Sequence, residues 1–384
     1  TRAAPSIASA PGAKKAPKAA PRSEPELQAP FADFDPTQAV REGDGFAAAL
    51  GDNLVAHLTL DAPLQEHVAG MFRARPTPRA AFVAMDPKTG KILAYVSHNT
   101  GEFGKGDVVL DATPPSASVF KLITASALVD RGVGPRRKKC FHGGASGITM
   151  ANLIDGPLDQ RCNTLEEAVA GSINAVFAKL SVGHLDSETL ARYASAFGFG
   201  HALPFDVRTE VSRLDVPDED RETLEFARTS AGFWHMHMSP LHGAVIAATL
   251  ANGGRMAQPY LVERVTTKDG KVRYEAEPNV FREVIPRSTA RTVGRMMTGT
   301  VTSGTSRKAF HDARGRPMVP DVSIAGKTGT LSHERPYRGY TWWVGFAPAD
   351  KPTVAMAVLV VNTPKWHIKA NHVAADAMRF YFSR

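Results

Sequence analysis

The spacing of hydrophobic and polar positions changes several times along this chain, and each change predicts an element. Residues 80–85 and 91–96 are β-prone runs separated by Asp86-Pro-Lys-Thr-Gly90, a cluster of turn formers, which predicts an antiparallel hairpin. Ahead of it, residues 55–60 read as a strand, 63–72 as a helix, and the Phe-Ala-Ala-Ala-Leu run at 46–50 as helical. Residues 119–131 follow a proline-containing, small-residue approach and stop at Gly132, as a helix would. Residues 164–180 read as one helix, with Glu166 and Glu167 suited to its positive end. Helical spacing recurs over 187–197, 240–250 and 288–300, the second run ending at Asn252-Gly-Gly254. The pattern then turns β-rich over 322–325, 341–346 and 353–361, before 369–381 returns to helix. An early hairpin and late strands around a mainly helical middle describe one α+β domain, its sheet completed by distant parts of the chain.

Composition separates the N-terminal end from the rest. Prolines stand at 5, 11, 17, 21, 25, 30 and 36, and no acidic residue precedes Glu24, so residues 1–44 are expected to form a flexible Ala/Pro-rich tether and 45–384 the folded domain. The 384 residues are 43% hydrophobic, enough for a sizeable core. The formal charge of +8 allows attraction to an anionic polymer or membrane surface. Nucleic acid is not an expected partner, because no dense basic helix occurs and Trp234, Trp342, Trp343 and Trp366 are too dispersed to form a stacking platform. Arg136-Arg-Lys-Lys139 fits an anionic surface or a solvated loop equally well. The strongest late apolar stretch, 354–361, is only of strand length, too short to cross a bilayer. Two cysteines, Cys140 and Cys162, exclude a four-thiolate metal site and leave either one disulfide or two free buried thiols. His235 and His237 share a face if extended, yet no carboxylate-rich set lies near them in sequence, so no metal site is expected.

Three short segments carry candidate chemistry. Ser118-Val-Phe-Lys121 sets a hydroxyl and an amine one helical turn apart. A lysine of lowered pKa there would accept the serine proton; a capping serine beside a solvated lysine explains the same letters. Ser172-Ile-Asn174 offers a second hydroxyl and an amide, or simply a turn cluster. Gly326-Lys-Thr-Gly-Thr330 is more informative. Its glycines permit close backbone approach at a sheet edge, Thr328 and Thr330 bring hydroxyls, and Lys327 can orient a carboxylate or tune the serine–lysine pair. His333, just beyond, is a weaker candidate for substrate contact.

Taken in order, Ser118/Lys121, Ser172/Asn174 and Lys327/Thr328/Gly329 resemble the signature of penicillin-binding transpeptidases and related serine β-lactamases. The resemblance spans roughly residues 45–384 and includes Val83-Ala-Met-Asp-Pro-Lys-Thr-Gly90, Ala251-Asn-Gly-Gly254 and Thr341-Trp-Trp-Val-Gly-Phe-Ala-Pro348. It implies a mainly antiparallel sheet flanked by helices, with a helical subdomain. It also implies a peptidoglycan D,D-transpeptidase: Ser118 attacks a stem-peptide D-alanine carbonyl, Lys121 takes its proton, and Ser172 passes a proton to the leaving amine. Asn174 would hold the amide or carbonyl side of the substrate, Lys327 and Thr328 would favour its terminal carboxylate, Gly329 and Thr330 would also bind substrate, and the backbone N–H groups of Ser118 and Thr330 would form the oxyanion hole. Penicillins would acylate Ser118; a non-enzymatic β-lactam sensor, a D,D-carboxypeptidase and a serine β-lactamase are the alternatives. The implied partners are peptidoglycan stem peptides, β-lactams and membrane-anchored cell-wall synthesis proteins, in a periplasmic or extracytoplasmic setting with a membrane tether and no cofactor. Residues 1–45 hold no glycosyltransferase region, so a monofunctional protein or an excised domain is expected. One departure stands out: Ala117 replaces the usual glycine before the nucleophile.

Overall fold

The computed structural model describes residue 31, residues 34–51 and residues 53–384. At its centre is an antiparallel sheet in the order Ala325–Glu334, Tyr337–Ala347, Val354–Asn362, Arg79–Met85, Ile92–Asn99. The early hairpin therefore pairs with the last strand of the chain, Ala355 opposite Met85 and Val360 opposite Ala80. Alternation along the strands divides two hydrophobic cores. Ala81, Val83, Ala357 and Leu359 face one; Ala80, Phe82, Met356 and Val358 face the other. Trp342 and Trp343, adjacent in a strand, accordingly enter opposite cores, both fully buried.

The helices Ala62–Arg73 and Ala370–Phe382 cover one face through Leu64, Val68, Phe72, Val373 and Met378. Asp61 caps the first of these by accepting from Leu64 N at 3.0 Å. On the other face lies Pro240–Ala251, apolar all round and buried almost throughout, as a helix between a sheet and further helices must be. Beyond it sits a helical region comprising Lys121–Asp130, Leu165–Gly171, Asn174–His184, Ser187–Ala196, Thr223–Ser230 and Arg287–Thr302. The α+β architecture expected from the sequence is present. Among the described residues, no helix is long and apolar enough to cross a membrane.

Three local expectations need correction. Residues 46–50 belong to the strand Gly45–Leu50, not to a helix. Their alanines favour a helix, but the run is too short to nucleate one, and pairing with Leu54–Leu58 buries Ala48 opposite Ala56. This hairpin joins Val40–Glu42, Val262–Thr267 and Val272–Glu275 in a second five-stranded sheet. The expected boundary at residue 45 also moves: Phe34 is buried in the core, Phe31 packs edge-on against Tyr274, and Val40–Glu42 pairs with Gly45–Leu50. Residues 1–30 of the expected tether lie outside the described residues. Finally, residues 164–180 are two helices rather than one, broken at Ser172, whose φ of 55° is left-handed. The first begins with a capping box in which Thr164 and Glu167 satisfy each other's backbone N–H groups.

Candidate active site

The segment that carries Ser118 is placed by backbone pairing before any of its side chains matter. Ser116 N donates to Met236 O at 2.8 Å and Met238 N donates to Pro114 O at 3.0 Å, so residues 114–116 are tied to 236–238. Trp342 Nε1 donates to Pro115 O at 2.9 Å, anchoring the approach to the central sheet. A tight turn, Ala117–Val119, then leads into Lys121–Asp130. Ala117 has a φ of 48°, a conformation that costs an alanine about 1 kcal/mol relative to glycine. Its methyl fills space that a neighbouring glycine leaves open: a Cβ on Gly329 would lie 3.1 Å from Ala117 Cβ. Gly232 permits the crossing behind the nucleophile, since a Cβ there would lie 2.3 Å from Ala117 O. The glycine absent at 117 is thus present at two positions packed against it.

Lys121 is completely buried. Its Nζ lies 2.8 Å from Ser118 Oγ and 2.8 Å from Asn174 Oδ1, and it donates to the Ala231 carbonyl. Among these partners there is no carboxylate. Burial therefore holds its pKa well below the usual lysine value, and the nearby charge of Lys327 lowers it further. Lys327 is also fully buried, 2.9 Å from both Ser172 Oγ and Thr328 O, and burial brings its pKa down to about 7. The break at Ser172 explains how its hydroxyl reaches this lysine: the left-handed residue turns the chain between two helices. Among the described residues, Ser172 meets Lys327 and not the Ser118/Lys121 pair. Asn174, which opens the next helix, donates from Nδ2 to Ala145 O at 3.0 Å.

The edge strand Ala325–Glu334 closes the other side. Lys327 and Gly329 share one face, while Thr328 and Thr330 alternate to the other, and the Oγ1 atoms of Thr328 and Thr305 lie 2.6 Å apart. An open cleft of about 560 Å³ runs between these walls, with Ser118, Asn174 and Thr330 at its reactive end. Its outer part is lined by Trp234, Trp366, Glu225 and Arg228. Arg228 donates to Ile148 O at 2.8 and 3.0 Å, holding the wall formed by Ala145, Ser146 and Gly147. Cys140 and Cys162 stand opposite each other in two paired strands and form a disulfide at the root of that wall.

Other candidates fall outside the reactive end. His235 Nε2 lies 2.9 Å from Glu225 Oε2 and its Nδ1 3.7 Å from Asp215 Oδ2, carboxylates that sequence proximity had not suggested. Among the described residues no group of three metal-ligating side chains forms. His333 packs against Trp234 and Tyr340 behind the cleft wall. Of the basic run, Arg136 and Arg137 are exposed, whereas Lys139 pairs with Asp155 at 2.7 Å. The Ala231 carbonyl, Arg228 and Thr305 carried no motif; only Gly232, a glycine without an obvious turn, hinted at the crossing.

The geometry suits acyl transfer: a hydroxyl beside a lysine of lowered pKa, a second hydroxyl–lysine pair, and an edge strand along an open cleft. A family profile described as "Penicillin binding protein transpeptidase domain" matches residues 80–379. The chain belongs to that family. This penicillin-binding transpeptidase domain is 30% identical over 322 residues to the peptidoglycan D,D-transpeptidase PbpA of Mycobacterium tuberculosis, covering 74% of this chain and 62% of the relative. It is 28% identical over 351 residues to the stage V sporulation protein D of Bacillus subtilis, covering 83% of this chain and 51% of that protein. It spans about three-fifths or less of the length of both relatives. Among solved structures, PBPA of M. tuberculosis superposes with a TM-score of 0.69 at 26% identity, covering 85% of this chain and 81% of the other. The D,D-transpeptidase domain from Eggerthella lenta gives 0.70 at 25% identity, covering 85% and 82%. M. tuberculosis PBPA is also known as its penicillin G acyl-enzyme complex.

Proposed function

We propose that this domain is a peptidoglycan D,D-transpeptidase that cross-links stem peptides through a Ser118 acyl-enzyme and is trapped there by penicillins. The observation that carries the reading is the buried Ser118–Lys121–Asn174 contact, in which the lysine meets no carboxylate. Neutral Lys121 accepts the Ser118 proton as Oγ attacks the carbonyl of the penultimate D-alanine. The N–H groups of Ser118 and Thr330, on facing sides of the cleft, receive the developing oxyanion. Ser172, in contact with Lys327, hands a proton to the departing D-alanine amine, leaving an ester on Ser118. An amine from a second stem then attacks the ester and gives its proton to Ser172, while Lys121 returns its proton to Ser118 as the serine leaves. Asn174 has one amide N–H engaged with Ala145, leaving the other for the donor peptide. Lys327, Thr328 and Gly329 form the end that receives the carboxylate, which a penicillin shares with the donor.

The setting follows from the substrate. Stem peptides lie outside the cytoplasmic membrane, and the Cys140–Cys162 bridge accords with an oxidising compartment. The domain is accordingly periplasmic or otherwise extracytoplasmic, tethered in the full-length protein and working beside membrane-anchored synthesis partners. Intact-mass measurement with a penicillin, run beside Ser118→Ala, tests the chemistry. One persistent adduct on the wild type alone, together with cross-linked product from a donor and an amine acceptor, supports transfer. Rapid loss of the adduct would instead indicate a carboxypeptidase or β-lactamase. An adduct without any product from stem peptides would indicate a sensor.

A further inference from the structure

The Arg287–Thr302 helix is followed by a short turn with no sequence motif of its own, yet it is held in place as firmly as the reactive segments. Thr305 N donates to Ala170 O at 3.2 Å, Gly304 N to Gly299 O at 2.8 Å and Ser306 N to Thr300 O at 2.9 Å. Gly304 is pressed against the Leu165–Gly171 helix: a Cβ there would lie 2.1 Å from Ala170 O and 3.0 Å from Gly299 O. Ala170 stands two residues before Ser172. The backbone that presents Ser172 to Lys327 therefore also fixes Thr305, whose Oγ1 lies 2.6 Å from Thr328 Oγ1.

A threonine hydroxyl has one proton and two acceptor sites, so two hydroxyls in contact use one proton between them and keep one to give. Thr305 is exposed and Thr328 half-buried, so that remaining proton is accessible on the strand face that Thr328 shares with Thr330, which lines the cleft. Neither hydroxyl touches Ser118 or Lys121, which separates this pair from the proton transfers. We propose that Thr305 is a further specificity-determining residue, its hydroxyl completing with Thr328 the donor group that recognises the terminal carboxylate of the donor peptide or of a penicillin. This rests on the acyl-transfer reading of the cleft given above. Thr305 donates to Thr328 Oγ1 and so leaves the Thr328 proton directed to that carboxylate. Removing it weakens recognition of the anion without altering the nucleophile.

The test compares acylation of the full chain by benzylpenicillin and by its methyl ester, which keeps the lactam but lacks the anionic carboxylate. With Thr305→Val, the second-order acylation rate for the acid is expected to fall about tenfold, the order of one hydrogen bond to a charged group, while the ester rate stays as in the wild type. Thr305→Ser restores the acid rate. Equal loss for acid and ester would make Thr305 a structural support of the site and overturn the proposal, as would no loss for either. If the wild type forms no Ser118-dependent adduct with either compound, the acyl-transfer reading fails first and this proposal with it. Unchanged thermal unfolding of Thr305→Val separates a recognition effect from misfolding.

Discussion

Lys121 and Lys179 are both buried in the helical region, and the Asn174–His184 helix touches both: Asn174 contacts the first, and Lys179 lies further along the same helix. Their partners differ in kind. Lys179 Nζ meets the carboxylates of Asp159 and Asp155, the latter at 3.1 Å, and the carbonyls of Cys140 and Ile154. Lys121 meets a hydroxyl, an amide oxygen and one carbonyl. Where counter-charges were built in, the lysine ties the disulfide-bounded loop to the helix. Where they were left out, burial disfavours the charge and leaves a lysine of lowered pKa beside a serine hydroxyl, as the proposed acyl transfer requires. Both lysines are buried; the difference is whether a carboxylate is present beside them.

Exchanging the two roles by mutation gives the largest effects. Lys121→Met keeps an apolar stem of similar length but removes the group able to take the proton, so acylation by penicillin should fall roughly 10³-fold in a stopped-flow or mass-spectrometric time course, with only a modest change in thermal stability, since no buried counter-charge is stranded. Lys179→Met should do the reverse. It strands Asp159 without its principal partner, and calorimetry should show a Tm lower by on the order of 5 °C while acylation is nearly retained. The same variant should change acid sensitivity. Lys179, followed by His142, holds the Asp159 carboxyl down to about 2, so this part of the stability is present above the unfolded value of 3.8 and is lost as pH falls through about 2. In Lys179→Met that loss should be smaller.

Next in size is the disulfide. Cys140 and Cys162 are 22 residues apart, and closing a loop of that length stabilises by about 3 kcal/mol in the chain-entropy model. A Cys140→Ser/Cys162→Ser variant should unfold at lower denaturant concentration. Its acylation should decline only modestly, since Arg228 and Asn174 still hold the wall at Ile148 and Ala145.

Much of the site could be read from the sequence because its chemistry is local. Ser118 and Lys121 share one helical turn, and Lys327 to Thr330 share one strand. The Trp342/Trp343 division and the 80–96 hairpin follow from a period of two. What escaped the sequence depends on contacts far along the chain. Residues 46–50 have helical composition, and only pairing with 54–58 decides otherwise. The helix break follows Gly171, yet the left-handed residue is Ser172 itself, and its hydroxyl meets Lys327, 155 residues away. Thr305 is set by a glycine that fits against Ala170. The Lys179 clamp joins residues spread over some forty positions, none of them conspicuous alone.

A smaller effect concerns pH. Lys121 must be neutral to act and Lys327 charged to attract a carboxylate, so acylation by benzylpenicillin should rise with pH on an acid limb set by Lys121. Loss of the Lys327 proton near pH 7 should oppose that rise, by at most tenfold per pH unit. The methyl ester should lose that opposition and keep the acid limb.

The contrast between the two lysines rests on the protonation of Lys121, which carbon-13 NMR of Cε-labelled lysine reports directly, with Lys121→Met used to assign the resonance. The expected result is a single Cε signal, absent from the variant, that titrates well below pH 10 in the folded protein. A Lys121 signal that remains that of an ammonium until pH 10 would contradict the account, because burial without a carboxylate would then not have made this lysine a base.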